Sequence, residues 1–116
     1  MRMWMVDPSV MCRQHLLGEH SEIHKHRHNF VKQHSIAGRV ENGQIEPKAM
    51  KRRHNQLARE MRKRGYQHNS EYIMPDLSYL SREHRNAKVD QEHSLRALAL
   101  RCNECKKLIK EKYNEK

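Results

Sequence analysis

The chain has 116 residues, 35% hydrophobic and 33% charged, and its 24 lysines and arginines outweigh 14 acidic residues to give a net charge of +10. That length suits one domain with a thin core, and an aromatic content of 5% argues against a sheet-rich fold. The charge points to a polyanionic partner, whereas no window offers the roughly 18 apolar residues of a membrane span.

Taken in chain order, the first residues lack the apolar core of a secretory signal. Asp7-Pro8-Ser9 reads as a helix start, with Asp7 as N-cap and Pro8 at the first helical position. Met11, Leu16, Leu17, Ile23, Phe30 and Val31 then follow a loose helical pattern, predicting a first helix over about 8–34. Gly38 and Asn42-Gly43 predict a loop. A second helix is predicted from Glu46-Pro47 to Gly65, which stands as the terminating glycine after Arg62-Lys63-Arg64, with Ala49, Met50, Leu57, Ala58 and Met61 as its buried stripe.

From 66 to about 86 the chain is polar and interrupted by Pro75. A third helix is predicted from Val89 to about Lys110, where Leu95, Leu98, Ala99, Leu100, Cys102, Leu108 and Ile109 recur at helical spacing. The expected fold is all-α: a compact single-domain bundle of three main helices with long polar loops. The three cysteines, an odd number with Cys102 and Cys105 close together, suit a reducing, cytoplasmic setting better than a disulfide framework.

Two features carry chemistry. The second helix and its approach hold Lys48, Lys51, Arg52, Arg53, Arg59, Arg62, Lys63 and Arg64 against Glu46 and Glu60. Such a face displaces counterions from a phosphate backbone, or is simply a solvated surface. The first helix is crowded with His15, Glu19, His20, Glu22, His24, His26 and His28. His20, His24 and His28 share a face at i, i+4, i+8, but in His20-Ser21-Glu22-Ile23-His24 the glutamate sits at the wrong offset for H-E-x-x-H. Cys102-x-x-Cys105 is half of a zinc site, whose other half would come from this cluster or from Cys12; the reading assigns no metal and no cofactor. Glu19 and Glu22, among so many bases, either pair with histidines on a solvated helix or supply a general base.

The run Arg13-Gln14-His15-Leu16-Leu17-Gly18-Glu19-His20-Ser21-Glu22 resembles the first helix of the pyrimidine-dimer DNA glycosylase/AP-lyase family of the phage endonuclease V type. Arg64-Gly65-Tyr66 is similar to that family's Arg-Gly-aromatic, and the opening Met1-Arg2-x-Trp4 and the ending Arg101-Cys102-x-x-Cys105 are similar to a shorter branch of it. The resemblance implies Glu22 as catalytic glutamate and the α-amine of Met1 as nucleophile. It implies lesion-bearing double-stranded DNA as partner, with Arg2, Arg13, Gln14, His15, Lys25, Arg27, Arg53 and Arg64 as DNA contacts. No membrane and no obligatory protein partner is expected. An α-amine, with a pKa near 7.7–8.0 against about 10.4 for lysine, is partly neutral and nucleophilic at pH 7, and Arg2 beside it would lower that pKa further. His15 is equally well read as a helix-packing residue, and Trp4 and Tyr66 as core residues or stacking wedges. Ser21 stands where the phage enzyme has a DNA-contacting arginine, so the lesion itself is left open. A non-catalytic nucleic-acid-binding module is the main rival.

Overall fold

The computed structural model describes residues 3–67 and 71–113. Met1 and Arg2, two of the predicted site residues, lie outside the described residues. The described chain is helical, with no strand: α1 (Arg13–Val31), α2 (Ala37–Glu41), α3 (Met50–Lys63), α4 (Arg82–Arg85), α5 (Gln91–Arg101) and α6 (Asn103–Tyr113). Four of these are substantial, one more than the sequence pattern predicts.

Asp7 caps as expected, its carboxylate accepting from Ser9 N at 2.9 Å, but it starts only a single 3-10 turn over Pro8–Val10. The chain then extends through Met11 and Cys12 (φ −68°, ψ 166°), and the Cys12 sulfur, accepting from His15 N at 3.5 Å, caps α1. The single helix predicted from residue 8 is thus two elements with different caps. α1 buries Leu16, Glu19, Ile23, His26 and Phe30 at alternating spacings of three and four, plus Glu22. Half of its inward face is therefore ionisable, an arrangement that needs partners on every side.

The predicted loop contains the short α2, with Gly43 (φ +65°) supplying the left-handed turn after it. A 3-10 turn at Pro47–Ala49 runs into α3, and Gly65 (φ +84°) ends it as predicted, with Tyr66 N donating to Met61 O at 2.9 Å. Residues 71–81 are irregular but pin Tyr72, Leu77 and Leu80 into the core. Asp90 caps α5, which ends at Cys102 in an extended conformation (φ −133°, ψ 117°) before α6 begins. The helix predicted over 89–110 is therefore two helices.

The core lies where α1 packs on α3, with α5 and α6 paired and α6 closing over the Pro8–Val10 turn. Met3, Trp4, Met5 and Val6 are all buried in it, so the segment leading to α1 is core rather than tail. Met3 N donates to Gln44 O at 2.9 Å, and Met5 turns the segment with φ +57°, a conformation costly for a side chain with a Cβ and held here by its surroundings.

Candidate active site and nucleic-acid interface

The ionisable stripe of α1 divides into two pairs. Glu19 is fully buried and receives a two-pronged grip from Arg53 of α3, Nε to Oε2 at 2.6 Å and Nη2 to Oε1 at 2.9 Å. Arg53 Nη1 also donates to the carbonyl of Val6 at 2.6 Å. One guanidinium thereby ties α3, α1 and the Met3–Val6 segment together.

One turn further along α1, Glu22 is 6% exposed and its Oε1 lies 3.7 Å from Nε2 of the fully buried His26. Burial, aided by the Arg39 guanidinium and opposed by Glu22, pushes the His26 pKa down to about 4, so the ring is neutral at pH 7. Neither ring nitrogen makes a hydrogen bond within the described residues. The pair is a shielded carboxylate beside a neutral imidazole, able to hold and pass a proton.

The predicted DNA contacts separate by burial. Arg13, Gln14 and Lys25 are exposed on α1, with the Arg13 guanidinium 5.5 Å over the Tyr66 ring. Arg27 is half-buried and donates to Ile73 O at 2.6 Å. Arg53, 1% exposed, is withdrawn from the surface because its donors are spent inside, and Arg64 is likewise committed, to Glu60 (2.7 Å) and the carbonyls of Pro8 and Met11 (3.1 and 2.8 Å). Arg53 thus acts as an internal clamp, while Arg64, its side chain 21% exposed, braces the Pro8–Met11 segment from the edge of the core. The exposed cations of the basic face are Lys48, Lys51, Arg52, Arg59, Arg62 and Lys63. Arg52, Arg59 and Lys63 flank a cleft of about 650 Å³ whose floor includes Met5, Val6 and Pro8.

His15 is half-buried. Its Nδ1 faces Cys12 Sγ at 3.1 Å and Cys105 Sγ at 3.7 Å, and its ring meets Trp4 edge-on at 5.9 Å between centroids. The ring nitrogen is turned toward sulfur, and Trp4 is a buried core residue (5% exposed). Tyr66 is half-buried at the core's edge. His20, His24 and His54 form a second imidazole cluster, ring centroids 4.8–4.9 Å apart, joining α1 to α3. Sequence reasoning passed over Glu19 as the partner of Arg53, and over the Cys12-x-x-His15 pair that repeats the spacing of Cys102-x-x-Cys105.

Among the described helices none is long and apolar enough to cross a membrane. The sequence profile of the pyrimidine dimer DNA glycosylase family matches residues 1–74, which include α1, α2, α3, the Glu22–His26 pair and the basic face. No curated protein and no solved structure gives a significant match.

Proposed function

The chain belongs to the pyrimidine dimer DNA glycosylase family, and we propose that it cleaves damaged DNA as a glycosylase with AP-lyase activity. The observation that carries the reading is Glu22: it falls inside the family-matched segment and is a buried carboxylate paired with a neutral histidine. The proposed nucleophile is the α-amine of Met1, preceding a segment anchored through Met3 to Gln44 and through Val6 to Arg53.

In the proposed sequence, the amine nitrogen bonds to C1′ of the lesion nucleotide as the C1′–base bond breaks, the base leaving with the bonding pair and a proton. The nitrogen lone pair then forms a C=N bond as the C1′–O4′ bond breaks and O4′ takes up the proton the amine loses, giving a cationic imine that the Glu22 carboxylate stabilises. Glu22 then accepts the C2′ proton; the C2′–H electrons form a C–C double bond and expel the 3′ phosphate, cutting the strand. The neutral His26 ring, 3.7 Å away, screens Glu22 from bulk water, and water hydrolyses the imine to release the enzyme. Reaching C1′ requires the nucleotide to leave the stack. Exposed Arg52, Arg59 and Lys63, with Arg13 and Lys25, supply the phosphate contacts that hold the distorted duplex.

The test is borohydride trapping on duplex oligonucleotides that each carry an abasic site or a pyrimidine dimer. Covalent trapping is expected with the free N-terminus, blocked by an N-terminal tag and spared by a C-terminal one. Glu22→Gln is expected to retain DNA binding and lose strand cleavage by at least about 100-fold, the scale of a lost general base. Normal cleavage by Glu22→Gln overturns the assignment, and salt-sensitive binding without any trapped species leaves a non-catalytic DNA-binding protein.

A further inference from the structure

We infer that Cys12, His15, Cys102 and Cys105 form a closed structural zinc site that locks the start of α1 to the α5–α6 junction. Their four ligand atoms, one from each residue, lie within 4.8 Å of one another.

The four residues form two pairs of identical spacing, Cys-x-x-His and Cys-x-x-Cys. Each pair opens a helix: Cys12 caps α1, and Cys102 immediately precedes α6. In each pair the backbone N–H three residues on points at the first sulfur, His15 N to Cys12 Sγ and Cys105 N to Cys102 Sγ, both at 3.5 Å. The Cys12 N–H is directed at Cys105 Sγ at 3.2 Å, crossing from one pair to the other. Backbone donors aimed at sulfur are the outer support that thiolate ligands require.

Two of the three closest separations match a tetrahedral ion. Zinc–sulfur bonds of about 2.3 Å and a zinc–nitrogen bond of about 2.0 Å place two sulfurs about 3.8 Å apart, and sulfur and nitrogen about 3.5 Å apart. Cys12 Sγ and Cys102 Sγ stand 3.8 Å apart and Cys105 Sγ and His15 Nδ1 3.7 Å, while Cys12 Sγ and His15 Nδ1, at 3.1 Å, are closer than a bound ion would hold them and would spread on binding it. Buried cysteines alone are ordinary small core residues. Packing, however, does not account for an imidazole nitrogen turned into three thiols drawn from segments about ninety residues apart. A ligand set this rich in sulfur selects zinc over magnesium or calcium. With four protein ligands the site has no open position, so it holds structure and performs no hydrolysis.

Two of the ligands lie beyond the family-matched residues 1–74, so the site fastens the C-terminal helices onto the segment that carries Glu22. It also fixes His15, on which Trp4 packs, and through Trp4 the buried Met3–Val6 segment.

The experiment is native mass spectrometry with elemental analysis on protein carrying a C-terminal tag free of histidine, purified without added metal. One zinc per chain is expected, together with the intense visible absorption of a tetrahedral thiolate site when cobalt replaces zinc. Cys102→Ser and Cys105→Ser are expected to lose both signals, and His24→Ala, in the separate imidazole cluster, to keep them. Should the cysteine variants not fold, chelation of the wild-type chain reads the same site: zinc removal should lower Tm and open three thiols to alkylation. A metal-free native chain, a chelator that changes neither Tm nor alkylation, or an ion lost in His24→Ala and kept in Cys102→Ser overturns the proposal. Iron in place of zinc overturns the choice of metal.

Discussion

Arg53 is the residue for which sequence and structure make opposite predictions, so its replacement by alanine separates them. A surface arginine in a basic helix is expected to cost less than about 0.5 kcal/mol of stability when removed, and to lower the slope of log binding constant against log salt by about 0.9. The structure predicts the reverse. Arg53→Ala strands the Glu19 carboxylate at 0% exposure and removes the donor to Val6 O. Breaking a buried pair from one side costs about 3–5 kcal/mol. With a urea slope of about 1.5 kcal/mol per molar, the unfolding midpoint falls by about 2–3 M. The double variant Glu19→Leu/Arg53→Met, which removes both charges and keeps apolar volume, should recover most of that loss. Urea unfolding followed by circular dichroism, and fluorescence anisotropy with a DNA duplex over a salt series, make the comparison. If Arg53→Ala leaves the midpoint unmoved and flattens the salt dependence, Arg53 contacts phosphate and the buried-clamp account fails.

Stability should fall as the solution is acidified from about pH 6.5 to pH 4: the unfolded chain protonates His26 near its ordinary 6.5, whereas the folded chain resists until about 4. The loss approaches 3 kcal/mol at 1.4 kcal/mol per pH unit, and His26→Phe should flatten that limb in denaturation curves taken across the range. Arg52→Ala and Arg59→Ala, at exposed positions, should each lower the salt slope of DNA binding by about 0.9 with little change in Tm. Gly65→Ala meets no atom within 4 Å, so its cost is the left-handed backbone alone, about 1 kcal/mol by thermal unfolding.

The helical character of the chain, the terminating glycine of α3 and the Asp7 cap were legible because local chemistry decides them. The division of the last helix was not: Leu95, Leu98, Leu108 and Ile109 continue a helical rhythm across Cys102, while the extended backbone there brings its sulfur to Cys12. The burial of Arg53 was legible from position rather than residue type. Arg53 and His54 fall on the stripe of Met50, Leu57, Ala58 and Met61, and Glu19 falls on that of Leu16, Ile23 and Phe30. Two opposite charges, each on the inward face of its own helix, were a readable sign of an internal pair. For Glu22 the sequence supplied identity, and folding supplied its seclusion beside His26.

The junction at Cys102 bears on how the molecule is made on the ribosome. Cys12 leaves the ribosome about ninety residues ahead of Cys102 and Cys105, which stand against it. The nascent chain must carry the Pro8–Val10 turn, with its buried Val10, without the cover of α6 until α6 itself has been synthesised. Contacts so distant along the chain slow folding and leave apolar surface open in the interval. A fragment cut at residue 74 would remain in that unfinished condition, so a folded product has to extend through α6.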